Sequence, residues 1–378
     1  MQRSNERILT THTGSLPRPP DLLDMIQKRD AGEPVDPDAF AARVRTAVAD
    51  IVKKQVEVGI DIVNDGELGK RGFANYVVER LSGFGGENPE PRVRADQVAF
   101  PEWREDAPPF VAKRQMCQGP VEWRGDAAIQ ADVANFQAAL AATPAVEGFL
   151  PAPSLGIVAD QLVNKYYPSD EAYLYALADA LKHEFQAIAG AGFVLQIDAP
   201  DAAMGRHMEF RNLDLAGFKR AIGGRVEALN HALAGIPEEQ IRYHVCWGNY
   251  EGPHTHDVPL ADIVDLVLAV RAGAYSVEAS NPRHAHEWQV WETVKLPDGK
   301  ILIPGVIDST TNFVEHPDLV AQRIEQYARL VGRENVIAGT DCGFGTSAGR
   351  RRVYESIMWA KFESLAEGAR RASARLWA

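Results

Sequence analysis

A (β/α)8 barrel is the fold this sequence predicts, on three observations. Eight short apolar, β-branched runs recur along the 378 residues. They are Ile8–His12, Ile60–Asp65, Gly148–Ala152, Phe193–Asp198, Arg242–Trp247, Tyr275–Ala279, Ile301–Ile307 and Val336–Thr340. Between them lie stretches with apolar residues at three- and four-residue spacing, the period of a helix that buries one face. These are Phe40–Val58, Asp170–Ala191, Leu213–Leu233, Leu260–Ala272 and Pro317–Val331, with Arg352–Arg375 as a closing helix. Such alternation makes parallel strands joined by helical crossovers. The third observation is chemical. His12, Asp65, Glu67, Asp198, His244, Cys246, Glu278, Asp308 and Cys342 all fall at or just past expected strand ends, where barrel enzymes place their catalytic residues. A doubly wound open sheet shares the alternation but does not readily gather residues from three separate strands around one point.

The whole chain, 1–378, is expected to be one barrel domain with an irregular insertion at about 81–119, after the second strand. Gly83, Gly85, Gly86, Pro89, Pro91, Pro101, Pro108 and Pro109 interrupt both periodicities there. A long insertion of this kind is either a binding loop or lid, or a surface decoration.

With 46% hydrophobic and 24% charged residues, the composition is that of a soluble globular protein. No apolar run approaches the ~20 residues of a membrane helix. The polar start, Met1 to Arg7, has no signal-peptide core, so a cytoplasmic location without a membrane partner is expected. A net charge of -12 argues against nucleic acid as a partner. It leaves room for a small anion held by a local arginine. Three cysteines in a reducing compartment suit metal binding or catalysis better than a disulfide. Nothing in the sequence sets an oligomeric state.

His244 and Cys246 are two apart on one expected strand, so both side chains point to the same face. Glu278 ends the next strand. Cys342 follows the last one, which closes the barrel back toward the first. One imidazole, two thiolates and one carboxylate suit Zn2+. A single cysteine near a strand end is ordinarily a small buried hydrophobe; the weight lies in four candidates at matching ends. Cys117 is read as a non-ligand. His254/His256 and His284/His286 lie in polar loops and are read as solvated or supporting rather than ligating. Cys-x-x-Cys knuckles, the usual mark of a purely structural zinc, are absent from the sequence.

Several segments carry a resemblance when taken in order. They are Thr10-Thr11-His12-Thr13-Gly14-Ser15-Leu16-Pro17-Arg18, Val63-Asn64-Asp65-Gly66-Glu67, Leu195-Gln196-Ile197-Asp198, and the His-x-Cys, Glu and Cys set. With them the chain resembles the cobalamin-independent methionine synthase family over nearly its whole length, and most closely the short members that carry only the catalytic half. The resemblance implies zinc held by His244, Cys246, Glu278 and Cys342. It implies a substrate carboxylate at Gly14 and Ser15, and its amino group at Glu67 and Asp198. The implied partners are a small-molecule thiol, homocysteine or a relative, and an alkyl donor of the methyltetrahydrofolate type.

Three features depart from that pattern. Ile197-Asp198-Ala199-Pro200 stands where the synthases have Ile-Asp-Glu-Pro. The stretch from Gly305 to Asn312 lacks the histidine thought to protonate the departing folate nitrogen. No tryptophan near Leu155–Lys165 matches the one that stacks on folate. The epoxyalkane:coenzyme M transferases are similar in size and ligand pattern, and add a zinc-activated thiol to an epoxide. A sulfonate-bearing thiol would favour an arginine near the zinc, such as Arg18, Arg71, Arg206 or Arg283. The expected general acid is Asp308, with His12, Asp65 and His254 as further candidates. A metal-free barrel lyase resembling uroporphyrinogen decarboxylase is the competing class, and needs no ligand set.

Overall fold

The computed structural model describes residues 1–90, 92–106, 114–350 and 352–378. Its main sheet has eight parallel strands: β1 (Leu9–Thr10), β2 (Ile62–Val63), β3 (Glu147–Pro153), β4 (Val194–Asp198), β5 (Ile241–Val245), β6 (Ala274–Val277), β7 (Ile301–Ile307) and β8 (Ile337–Thr340). Neighbours follow the chain from β2 round to β8, and β8 pairs with β1. A single bridge between Thr11 and Ile62 joins β1 to β2 and completes the ring. All eight expected strands are present; Ile301–Ile307 has its expected bounds, and the other seven have a displaced end.

Main helices are α1 (Pro20–Asp30), α2 (Pro37–Glu57), α3 (Asp126–Ala142), α4 (Asp170–Gly190), α5 (Leu215–Ala232), α6 (Leu260–Ala269), α7 (Pro317–Val331) and α8 (Glu355–Leu376). Helix α2 starts where it does because the Asp36 carboxylate accepts from the N–H groups of Asp38 and Ala39, with Pro37 preset for the first turn. Ser169 and Asp214 cap α4 and α5 in the same way. Helices α1 and α3 were not expected. Alanine-rich α3 offers little apolar contrast between its faces, which is the signal periodicity needs. No helix among the described residues is long and apolar enough to cross a membrane.

The insertion is more ordered than its glycines and prolines suggest. Phe84–Asn88 pairs antiparallel with Arg114–Cys117, which pairs in parallel with Val163–Asn164. A short helix, Ala95–Ala99, docks on the loop after β5. There the Asp96 carboxylate accepts from the Tyr250 hydroxyl at 2.9 Å, and Arg94 lies over the Tyr250 ring at 4.1 Å. Pro91, Pro108 and Pro109 lie outside the described residues.

Side chains alternate across each strand and so sort the barrel into two chemistries. Leu195, Ile197, Tyr243, Val245 and Val277 join the large core shared with the helices. Leu9, Ile62, Phe149, Val194, Ala274, Ile301, Ile303 and Ile337, mostly at strand beginnings, form an apolar plug inside the barrel. Above the plug the interior turns polar. Arg242, 1% exposed, donates to Thr11 Oγ1 at 3.0 Å, to the His12 carbonyl and to Gln196 Oε1, and its guanidinium lies 3.7 Å over the Phe149 ring. Gln196 in turn donates to the Thr13 carbonyl and, at 2.6 Å, to Asp198 Oδ1.

This layer predicts a mechanical role for Arg242. Arg242→Met is expected to cost about 3–5 kcal/mol, the scale for stripping one partner from a buried charged network. Urea unfolding checks it; an unchanged midpoint would show that the layer does not depend on the guanidinium.

Candidate active site

Strand alternation brings His244 and Cys246 to the same inner face of β5, as their spacing requires. Cys342 arrives from the loop after β8, and its sulfur is 3.5 Å from that of Cys246. Ligand atoms of His244, Cys246 and Cys342 all lie within 4.8 Å of one another, and all three residues are buried. His244 Nδ1 meets Ser276 Oγ at 3.1 Å, whereas its Nε2 is buried without a hydrogen-bond partner. Burial drives the His244 pKa down to about 3, so the ring is the neutral form that binds metals. The hydrogen bond between the two cysteines, with burial, holds the Cys246 thiol well above its usual range. An orphaned imidazole nitrogen beside two unoxidised thiols is a donor set that fits zinc.

Glu278 stands beside this trio. Oε1 accepts from the Trp247 N–H at 2.8 Å, and Oε2 from the Asn281 amide at 2.8 Å. Burial raises its carboxyl well above the usual range, and nearby Cys246 adds to the shift. The loop carrying Glu278 is held by Asp341, which precedes Cys342. Its carboxylate accepts from the backbone N–H groups of Ala279, Ser280 and Asn281 at 2.8–2.9 Å.

A cavity of about 470 Å³ opens on the trio. Ser15, Glu67 and Asp198 share its wall with His244, Cys246 and Cys342. Glu67 adopts φ 55°, a left-handed conformation rare outside glycine, and its Oε2 is buried with no partner. That strained backbone is set by Asp65, whose Oδ1 accepts from the Glu67 N–H at 2.9 Å. Burial raises both carboxyls, Glu67 to about 7 and Asp198 well above its usual range; nearby Asp65 adds to the first shift and Glu67 to the second. Two such acids with an unfilled acceptor suit an ammonium group. Gly14 backs them: at φ 137° it brings the chain so close that a Cβ there would meet Glu67 Oε1 at 3.1 Å.

Residues 8–358 match the model of the cobalamin-independent synthase catalytic domain. The chain belongs to this family. Among curated relatives, methionine synthase of Thermococcus kodakarensis is 26% identical over 351 residues, covering 92% of this chain and 90% of its own. The uncharacterized protein YxjH of Bacillus subtilis is 25% identical over 361 residues, covering 93% and 90%. Among solved structures, a B12-independent methionine synthase from Shewanella sp. W3-18-1, in complex with selenomethionine, superposes with a TM-score of 0.74. It is 19% identical, with 98% of this chain and 99% of that one covered, so the likeness shows the barrel fold.

Other family-like positions fall away from the cavity wall. His12 is buried between the rings of Phe149 and Phe362, with Nε2 on Gln55 Oε1 at 2.7 Å and Nδ1 accepting from the Gly14 N–H at 3.2 Å. Neither nitrogen is open, and burial lowers its pKa to about 3. Asp65 turns to the Glu67 backbone. Asp308 accepts from the backbone N–H and hydroxyl groups of both Thr310 and Thr311, closing a turn. Cys117 is buried in the insertion sheet, its thiol directed at the Gly119 carbonyl.

Of the four arginines singled out earlier, only Arg71 is on the wall. Arg18 is buried and donates to the carbonyls of Glu67, Lys70 and Gly345. Arg206 borders a separate cavity. Arg92, Arg114, Arg350 and Arg352 line the main one instead. They lie in the insertion and in the loop after β8, where spacing has no periodic signal. Asn249 was also missed. It donates to the Gly343 carbonyl at 2.8 Å and accepts from Ser309 Oγ at 3.0 Å, tying together the loops after β5, β7 and β8.

Raised acids in the site carry a pH signature. Burial lifts the Glu67 carboxyl from 4.5 to about 7, so across that window the folded protein keeps a proton that the unfolded chain releases. The corresponding stability is full at lower pH and is lost as pH rises through about 7. Glu67→Gln is expected to flatten that fall in a chemical-denaturation series against pH; a wild-type slope surviving in the variant would assign it elsewhere.

Proposed function

We propose that the protein transfers an alkyl group, in the leading reading a methyl group, to the sulfur of homocysteine or a closely related amino thiol. Zinc would be held by His244, Cys246 and Cys342, with Glu278 completing the set. The single observation that carries this reading is the shared cavity: the orphaned imidazole and paired thiols open on the same space as the Glu67–Asp198 pair. The names of the curated methionine synthases, and the selenomethionine in the Shewanella structure, support it.

When bound, zinc supplies a Lewis acid that takes a thiol, ordinarily near pKa 8.5, to its thiolate at neutral pH. The remaining work belongs to the chain. Glu67 and Asp198 receive the amino group and Gly14 and Ser15 the carboxylate, fixing where the sulfur sits. Asp65 and His12 hold those groups from behind. The sulfur forms a bond to the donor carbon as the bond from that carbon to the leaving atom breaks. The thiol proton has gone to solvent, and the leaving atom takes one up. Asp308, saturated by its own turn, holds the loop after β7 in this reading.

A second reading is favoured by the arginine wall. Arg350 and Arg352, beside Arg71, Arg92 and Arg114 that are paired with Asp30 and Glu209, suit an anionic thiol such as coenzyme M attacking an epoxide. The missing histidine after Asp308 agrees with it.

Cys246→Ala is expected to abolish zinc binding and turnover together; a variant retaining both would overturn this ligand set. Mass spectrometry would separate the two readings, on zinc-loaded protein offered homocysteine, coenzyme M, glutathione and cysteine with methyltetrahydrofolates and a short epoxide. Methionine is the expected product. A hydroxyalkyl thioether would replace the leading reading with the second.

A further inference from the structure

Behind Cys246 and Glu278 lies a second cluster of half-buried to buried ionisable groups, in the loops after β5 and β6. Its centre is Asp257. The carboxylate oxygen Oδ2 meets His254 Nδ1 at 2.7 Å and His284 Nε2 at 3.0 Å. The other nitrogen of each ring also faces an acceptor. His254 Nε2 lies 2.8 Å from the Tyr250 carbonyl, and His284 Nδ1 lies 2.8 Å from Glu287 Oε2. A carbonyl oxygen only accepts, and so does an ionised carboxylate. Both rings therefore need hydrogen on both nitrogens. His207 Nδ1 stands 2.9 Å from Asp257 Oδ1, out of hydrogen-bond alignment.

We propose that Asp257 is a charge hub holding two imidazolium rings, and that His284, as one of them, is a positioning residue that clamps Trp247 and through it the metal-binding residues. The clamp rests on the metal reading above. The ring of His284 is 4.2 Å from that of Trp247, centre to centre, within cation–π range. The indole N–H donates to the Val258 carbonyl at 2.7 Å, next to Asp257. One face and one edge of the tryptophan are thus held by the hub. Its backbone does the rest. Trp247 directly follows Cys246, and its N–H donates to Glu278 Oε1 at 2.8 Å. Burial opposes charge on His284, but Asp257 and Glu287 outweigh it and hold the ring up to about 10. Asp257 is held well below the usual carboxylate range, since its histidine contacts outweigh burial.

One other occupant would satisfy the same geometry: a cation shared by His254, Asp257 and His284, whose ligand atoms lie within 4.8 Å of one another. The experiment separates the two. Full-length protein, stripped of metal, is titrated with Zn2+ against a competing chelator and with Co2+ followed by its absorption. Wild type is expected to bind one equivalent. His284→Gln should weaken zinc binding about 10–100-fold, the usual cost of losing a group that supports a ligand. It should also shift the Co2+ spectrum while leaving circular dichroism unchanged. His284→Arg, which restores a cation over the indole, should recover most of the affinity. His286→Gln, at an exposed neighbour, should change nothing. Asp257→Asn gives the same readout should His284→Gln fail to fold. Nitrogen-15 NMR of labelled histidine should show two doubly protonated rings at pH 7 that are lost together in Asp257→Asn.

Wild-type zinc affinity and Co2+ spectrum in His284→Gln would overturn the clamp alone. Two metal equivalents in wild type, with the second lost in His284→Gln, would replace the imidazolium pair with a metal. A wild type that binds no zinc would overturn the metal reading, and the clamp with it, whereas the NMR result bears on the hub by itself.

Discussion

A guanidinium shut off from water sits at the middle of the barrel, and the site is built on its hydrogen bonds. Arg242 reaches the β1 end through the Thr11 hydroxyl and the His12 carbonyl, and reaches β4 through Gln196. Gln196 then holds Asp198, one of the two acids on the cavity wall. A buried charge of this kind is tolerated only when every donor is used. That requirement holds the strand ends in one arrangement, above an apolar plug that keeps water out from below. Two residues further along β5 than Arg242, on the same inner face, lies His244.

Charge is divided within the cavity. Glu67 and Asp198 form an acidic pair, whereas Arg350 and Arg352 bring positive charge to the wall; Arg92 and Arg114 there are paired with Glu209, and Arg71 with Asp30. Arg352 feels the thiols of Cys342 and Cys246, although burial and Arg350 still lower its pKa to about 10. A chain with net charge -12 thus concentrates cations where a small anion would approach. Overall charge speaks only to large partners; the local field is set by which loops meet at the mouth.

The barrel was legible because two periods alternate down the chain, and Ile301–Ile307 and Pro317–Val331 were read with the bounds they have. The shared face of His244 and Cys246 followed from the period of two alone. What spacing could not supply was the partner of each side chain. His12, Asp65 and Asp308 lie where catalytic residues belong, yet each spends its polar atoms on the backbone, a glutamine or threonine hydroxyls beside it. Asp341 and Asn249 are as close to the site, but nothing local marks them, since their partners come from other loops. Helix α3 went unread for a related reason: alanine on every side leaves the buried face without contrast.

Gly343 touches Ser15 with no clearance, for a Cβ there would stand 2.0 Å from the serine oxygen. The backbone N–H groups of Phe344 and Gly345 also donate to the Ser15 carbonyl, at 2.8 and 3.1 Å. Residues from opposite ends of the chain therefore meet at the cavity wall. Contacts between residues so distant in sequence close slowly, because a long loop must be organised first. The functional pocket is consequently a checkpoint on chain closure. A chain that has not yet joined its eighth strand to its first has neither Cys342 in place nor a support for Ser15, so the cavity wall is complete only when the ring closes.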